Sequence, residues 1–300
     1  MRFPASRHED PVLEHCRRIL ARGSRTFALA SRALDPTARE GACYLYAWAR
    51  YCDDRIDGQS MGHDQRGFAG SRAALAAELA KLYSATERAL AGECAGEPVF
   101  RGIGRVVARH GIPKAEPFEL LAGMAMDIEG RRYSSLAALS PYCYRVAGVV
   151  AVMMARVLGV RDEDGLTRAA NLGIAMQYTN IARDVLDDAR IGRLYLPLDW
   201  LAEAGVEPAA VAASTSRRSL VSVVGRLLDA ADELYAGADR TFPGLRRRSV
   251  LAVHAARRIY AEIGHEIRRR GERAWDDRTV VRRPRQLGLF LGALVRAVAD

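Results

Sequence analysis

The chain has 300 residues, of which 49% are hydrophobic and 27% charged, with 26 glycines and 11 prolines scattered without a repeat. That composition excludes collagen-like and wholly disordered chains and supplies enough apolar surface for a dry core. Arg and Lys exceed Asp and Glu to give a net charge of +9, which suits nucleic acid, an anionic membrane surface or a phosphorylated small molecule.

Apolar residues recur at helical spacing along nearly the whole sequence, and alternation of period two is scarce, so the chain reads as all-α. The expected helices are Pro11 to Arg22, Pro36 to Arg55, Arg66 to Glu87, Pro98 to His110, Ala115 to Ile128, Ser140 to Leu158, Glu163 to Ala189, Pro208 to Asp239 and Arg246 to Gly271. Asp35-Pro36 and Ser140-Pro141 each read as an N-cap followed by Pro at the first helical position, and Gly111 with Pro113 separates two helices. No linker-like stretch divides the sequence, so residues 1–300 are expected to form one helical domain.

No apolar stretch follows the basic N-terminus, which argues against a secretory signal and for a cytoplasmic protein. The longest uninterrupted apolar run, Val146 to Ala155, is too short for the ~20 residues that cross a bilayer. Five cysteines, Cys16, Cys43, Cys52, Cys94 and Cys143, lie at irregular spacing and read as reduced core thiols.

Two acidic clusters carry the chemistry. Asp53 and Asp57 are four residues apart near the end of an apolar helix, and Asp184 and Asp188 repeat the spacing in another, with Gln177 and Asn180 on the same stripe. One such pair alone is commonly a solvated helix end. Two pairs embedded in apolar sequence suit hard divalent cations, and Mg²⁺, which keeps waters and binds through a few carboxylates plus substrate phosphates, fits better than a calcium cage. Arg50 lies three residues before Asp53, and the Gly23-Ser24-Arg25-Thr26 break adds hydroxyls. A metal site beside Arg is, in outline, a diphosphate site. Small residues at Val146–Ala151 and Gly173–Ala175 suit either an open cavity for a long chain or tight helix packing.

Gly23 to Asp57, Leu121 to Ser135, Tyr142 to Val150 and Asn171 to Leu201 together resemble the squalene and phytoene synthases, head-to-head prenyltransferases, in the order that family uses. The CDDRIDGQ and DDARIGRLYLPLDWL segments are most similar to the bacterial phytoene synthases of carotenoid pathways. The resemblance implies an isoprenoid-synthase helical bundle with a central cavity, in which Asp53, Asp57, Asn180, Asp184 and Asp188 hold Mg²⁺, or Mn²⁺ in its place. It places Ser24, Thr26, Arg50, Gln177 and Arg278 at the diphosphates and Tyr46, Tyr142 and Tyr260 at the reaction centre. The implied reaction joins two geranylgeranyl diphosphates, through a cyclopropylcarbinyl diphosphate, to phytoene without NADPH.

Relatives that use farnesyl diphosphate to make squalene, dehydrosqualene or presqualene diphosphate are the nearest alternative. An inactive family member serving as an assembly partner is an alternative of another class. No nucleic-acid motif accompanies the basic C-terminal segment from Arg268 to Arg285, so nucleic acid is not expected as a partner. That segment and Leu287 to Leu294 suggest peripheral contact with lipid at the inner face of the cell membrane, with other carotenoid-pathway enzymes as further candidate partners.

Overall fold

The helix starts are written in short polar caps, and most of them form where the sequence places them. In the computed structural model, which describes residues 10–24, 27–28, 31–32, 34–58, 71–93, 96–238, 245–282, 284–286 and 288–289, every regular element is helical. Asp10 accepts a hydrogen bond from the Val12 amide and opens α1 (Pro11–Gly23). Asp35 accepts from the amides of Thr37 and Ala38, both at 3.1 Å, and opens α2 (Pro36–Asp57). There follow α3 (Arg72–Leu90), α4 (Pro98–His110), α5 (Ala115–Ile128), α6 (Leu136–Cys143), a π-helical turn (Tyr144–Gly148), α7 (Val149–Leu158) and α8 (Glu163–Arg190). The short α9 (Leu198–Glu203) leads to α10 (Arg217–Gly237) and α11 (Arg247–Arg270), the last followed by a 3₁₀ turn, Gly271–Trp275.

Three boundaries differ from expectation. Ser135, not Ser140, caps α6 by accepting from the Ala138 amide, and Pro141 lies inside the helix. Proline there removes one hydrogen bond of the ladder, and the π turn begins three residues later. The segment expected to be one helix from Pro208 is two 3₁₀ turns, Pro208–Ala210 and Ser214–Ser216, before α10 begins. Helix α3 starts at Arg72 on a Ser71 cap; the expected start at Arg66 lies outside the described residues.

Burial divides the interior into two large apolar clusters. One gathers α1 to α5 and α7, with Tyr44, Leu45, Trp48, Ile103, Leu121 and Met153 fully buried. The other gathers α6, α8, α10 and the end of α11, with Leu139, Leu196, Leu201, Leu220 and Leu227 fully buried. Each such side chain contributes roughly 1.5–3 kcal/mol by leaving water. Tyr144, in the π turn, packs against both clusters, and the 28-residue α8 runs beside the π turn, α7, α10 and α11. Trp275 fixes the 3₁₀ turn to α8 by donating its indole N–H to the Ala182 carbonyl at 3.0 Å.

The small-residue stretches pack tightly. A Cβ on Gly173 would lie 2.6 Å from the Ala147 carbonyl oxygen and 2.8 Å from Gly148 Cα, so α8 and the π turn touch backbone to backbone. Residues Leu136–Leu158 make one helical run of 23 residues, long and apolar enough to cross a membrane by length and composition, because it extends past the apolar stretch visible in sequence. It is a core element here: Leu139, Cys143, Val149 and Met153 are buried, and Arg145 and Arg156 pair with Glu119 and Glu116 of α5. Four cysteines, Cys16, Cys43, Cys52 and Cys143, are buried free thiols; Cys94 lies outside the described residues. The basic C-terminal segment is largely engaged within the molecule, Arg268 with Asp229 and Asp232, Arg269 with Glu266, Arg270 with Asp277 and Arg285 with Glu262.

Candidate active site

Helices α2 and α8 face each other across a cleft floored by α5 and the π turn. The four-residue spacing puts Asp53 and Asp57 on the α2 wall, one turn apart, and Gly58 ends the helix immediately afterwards with φ of 62°, a left-handed conformation that favours glycine. Gln177, Asn180, Asp184 and Asp188 line the α8 wall, where Asn180 Nδ2 donates to Gln177 Oε1 at 3.3 Å. Ile56, Leu120, Met124, Val146 and Ile181 supply an apolar surface in the same cleft. Acidic walls and an apolar floor thus meet in one space.

The electrostatics couple the two walls. Burial pushes the Asp53 carboxyl up to about 7, opposed by Arg50 and reinforced by Asp57, Asp54 and Asp127. Its side chain keeps 40% of its surface open to the cleft, so solvent weakens that push. The Asp188 carboxyl is held well above the usual range by burial first and then by Asp184, with Asp127 and Asp57 adding to it against the pull of Arg193. A carboxylate on α8 therefore feels one on α2.

Arginines partly offset this crowding. Arg193 Nη2 lies 2.5 Å from Asp57 Oδ1, and Arg183 grips Asp184 bidentately at 2.8 and 2.5 Å. Arg278 Nη2 stands 3.6 Å from Asp184 Oδ2, and Arg50 lies 3.9 Å from Asp53 and 4.0 Å from Asp54. The site can exchange these guanidinium groups between its own carboxylates and an incoming anion.

Hard oxygen donors on two walls fit a divalent cation. Among the described residues no group of three or more His, Cys, Asp or Glu side chains is placed to hold a metal ion without further ligands. Sparse carboxylates fit an ion that completes its shell with water and phosphate oxygens, as Mg²⁺ does.

Of the residues singled out in the sequence, Arg50, Asp53, Asp57, Tyr142, Gln177, Asn180, Asp184 and Asp188 line this one cleft. Arg278 reaches its edge through Asp184. Tyr46 sits behind Arg50, whose guanidinium lies 5.9 Å from the ring centroid; the ring stacks on Phe27 at 5.4 Å, and a Cβ on Gly23 would lie 2.6 Å from its hydroxyl. Ser24 accepts a hydrogen bond from the Phe27 amide at 3.2 Å, and Thr26 lies outside the described residues. Tyr260 packs against the C-terminal apolar cluster and is not among the residues lining the cleft.

Four polar lining residues are not among those singled out in the sequence: Asp127, Arg183, Arg193 and Tyr195. Asp127 is the one acid in the apolar stretch Leu120 to Ile128 of α5, which is the signal that could have found it.

The chain matches the family described as squalene/phytoene synthase over residues 20–286. It is 40% identical to the phytoene synthase of Pseudescherichia vulneris over 285 residues, covering 95% of this chain and 92% of that protein. It is 43% identical to the 15-cis-phytoene synthase of a Paracoccus species over 271 residues, covering 90% and 87%. Among solved structures, a dehydrosqualene synthase superposes with a TM-score of 0.84 at 27% identity, covering 96% of this chain and 97% of that one. A squalene synthase of Alicyclobacillus acidocaldarius superposes with a TM-score of 0.75 at 24% identity, covering 87% and 94%.

Proposed function

The chain belongs to the squalene/phytoene synthase family and is a prenyltransferase, and from that premise we propose that it is a phytoene synthase, joining two geranylgeranyl diphosphates head to head. The observation that carries the substrate choice is the 40% identity to a bacterial phytoene synthase across 95% of the chain. The cleft is consistent with it, setting acidic walls beside an apolar floor in one space.

In this reading Asp53 and Asp57 on α2, with Asn180, Asp184 and Asp188 on α8, hold Mg²⁺. When bound, Mg²⁺ neutralises charge on the leaving diphosphate. Arg50, Arg183, Arg193 and Arg278 turn from their carboxylate partners to diphosphate oxygens, which match the planar guanidinium fork. Departure of diphosphate leaves an allylic cation on the apolar side. There Ile56, Leu120, Met124, Val146 and Ile181 exclude water that would otherwise quench it. The hydroxyl oxygens of Tyr142 and Tyr195 lie in the same cleft, with lone pairs available to developing positive charge.

A second reading, condensation of fifteen-carbon farnesyl chains, is favoured by the TM-score of 0.84 to a dehydrosqualene synthase. Incubation with each diphosphate and Mg²⁺, followed by product mass, separates the two. A forty-carbon hydrocarbon from geranylgeranyl diphosphate supports the phytoene reading; turnover of farnesyl diphosphate alone overturns it.

A further inference from the structure

Asp127 lies near the C-terminal end of α5, and each of its carboxylate oxygens takes a different phenol. Tyr142 donates to Oδ2 at 3.0 Å and Tyr195 donates to Oδ1 at 2.7 Å. The Tyr142 and Tyr195 rings stack with centroids 5.0 Å apart, and Tyr133 closes on the other side of Tyr142 at 5.5 Å. Three separate segments, α5, α6 and the stretch after α8, are therefore ordered around one carboxylate.

This arrangement is poorly explained as packing. A carboxylate taken into a protein interior is stabilised best by a cation, yet the guanidinium nearest in this network, Arg193, bonds Asp57. An apolar residue in its place would spare the desolvation of a carboxylate but leave both phenol hydroxyls without this acceptor. What the carboxylate adds is orientation. Because each hydroxyl proton points to Asp127, the remaining lone pairs of both phenol oxygens face away from it, and both tyrosines line the cleft.

We propose that Asp127 positions Tyr142 and Tyr195 for the prenyl-transfer chemistry and receives, through the Tyr142 hydroxyl, the proton lost when the last carbocation becomes an alkene. The inference rests on the prenyltransferase reading of the cleft. In the step, a C–H bond beside the cationic carbon breaks and its electron pair becomes the new C=C bond. The proton goes to the Tyr142 oxygen, and the proton that oxygen already holds passes to Asp127 Oδ2. Tyr142 stays neutral throughout and Asp127 becomes a carboxylic acid, so no oxidant, reductant or further base is needed. Tyr142 is assigned over Tyr195 because it stands on the helical run that carries Val146 of the apolar floor, whereas Tyr195 is two residues from Arg193, whose charge opposes proton uptake. Burial holds the Asp127 carboxyl up to about 6, against the pull of Arg193 and both phenols, so its protonated form is within reach near neutrality.

The test compares wild type, Asp127→Asn and Asp127→Glu with geranylgeranyl diphosphate and Mg²⁺, measuring hydrocarbon formed and diphosphate released. Wild type releases two diphosphates per hydrocarbon by stoichiometry. In Asp127→Asn the hydrocarbon kcat should fall about 100-fold with KM within about threefold, the split expected when an interaction acts in the transition state. Diphosphate released per hydrocarbon should rise above two as water quenches stranded cations to alcohols, and Asp127→Glu should recover part of both. A hydrocarbon kcat within about tenfold of wild type, a change confined to KM, or a ratio that stays at two overturns the inference.

If Asp127→Asn fails to fold, Tyr142→Phe and Tyr195→Phe decide it, since each keeps the carboxylate. Tyr142→Phe should lower kcat about 100-fold and Tyr195→Phe distinctly less; equal and mild effects overturn the assignment. Wild type inactive on both geranylgeranyl and farnesyl diphosphate overturns the underlying reading and the inference together. An active wild type with an unaffected Asp127→Asn overturns the inference alone.

Discussion

Arg193 and Asp57 join the strand of chain beyond α8 to the end of α2, Nη2 to Oδ1 at 2.5 Å, and so tie the two walls of the cleft together. The pair sets a cation on a carboxylate assigned to Mg²⁺ in the proposed function, and the same guanidinium is assigned to diphosphate. Metal and diphosphate should therefore replace an internal contact with two stronger ones. Inorganic diphosphate with Mg²⁺ is expected to raise the melting temperature more than either alone, by about 2 °C or more at a hundredfold excess over Kd, where binding adds about 2.7 kcal/mol. Chelation should reverse the shift, and Asp57→Asn should remove most of it. A shift that survives both treatments would place the metal elsewhere.

The carboxylate pairs make a second expectation. Asp53→Asn and Asp184→Asn each keep side-chain volume while removing a charge from opposite walls. Product formation should fall by about 100-fold or more in each; the melting temperature should be unchanged or raised in Asp53→Asn, which relieves like-charge crowding, and lowered in Asp184→Asn, which leaves the Arg183 guanidinium without its carboxylate. Variants as active as wild type would overturn the metal assignment.

Much of this site is visible in the sequence because acids four residues apart on an apolar helix must share a face whatever the tertiary fold. The caps at Asp35 and Asp10 are equally local, each a side chain bonding an amide two residues on. What sequence leaves open is long-range. Asp127 joins Tyr142 and Tyr195 only after three segments pack, and no local spacing encodes that meeting. Ser140-Pro141 misleads because Pro after Ser reads as a helix start, while Ser135 offers an equally good cap one turn earlier and the ladder tolerates the missing bond beside a π turn. The small residues around Gly148 and Gly173 carry no mark distinguishing a cavity wall from a close crossing; only the 2.6 Å approach at Gly173 decides it.

That crossing predicts a stability defect. In Gly173→Ala the new Cβ meets backbone on the π turn, at Ala147 and Gly148, rather than a flexible side-chain end. The helices must separate, at a cost of about 1–3 kcal/mol. Because Tyr142 and Val146 flank or belong to the same turn, activity should drop further than stability alone explains at a temperature where both proteins are folded. Chemical denaturation beside turnover measures both, and a variant with wild-type stability would show that the crossing has slack.

The cysteines offer a probe of the interior. Burial pushes the Cys16 and Cys43 thiols up to about 12 and those of Cys52 and Cys143 well above their ordinary value, so thiolate is scarce at pH 8. N-ethylmaleimide should leave these four unmodified in the native protein and label them all in denaturant. Peptide mass spectrometry reads the result, and native labelling of any of the four would show that its helix opens.

Asp127 also sets a pH dependence of folding. Its carboxyl is raised from an ordinary value of 3.8 to about 6 in the folded protein, chiefly by burial, so between these values the folded state binds more protons than the unfolded. Stability associated with the protonated group is complete below about pH 4 and is lost as pH rises through 6. Wild type should therefore lose roughly 1–3 kcal/mol relative to Asp127→Asn over that interval, because asparagine never has to ionise in the cleft. Asp53 and Asp188 are raised in the same direction, and Asp127→Asn also removes the push that Asp127 exerts on both, so the gap between the two proteins reports Asp127 together with that coupling. Urea denaturation of both at pH 4 and pH 7 gives the comparison. A gap that does not widen in favour of Asp127→Asn would mean that the two tyrosine hydroxyls hold the carboxylate as comfortably as water does.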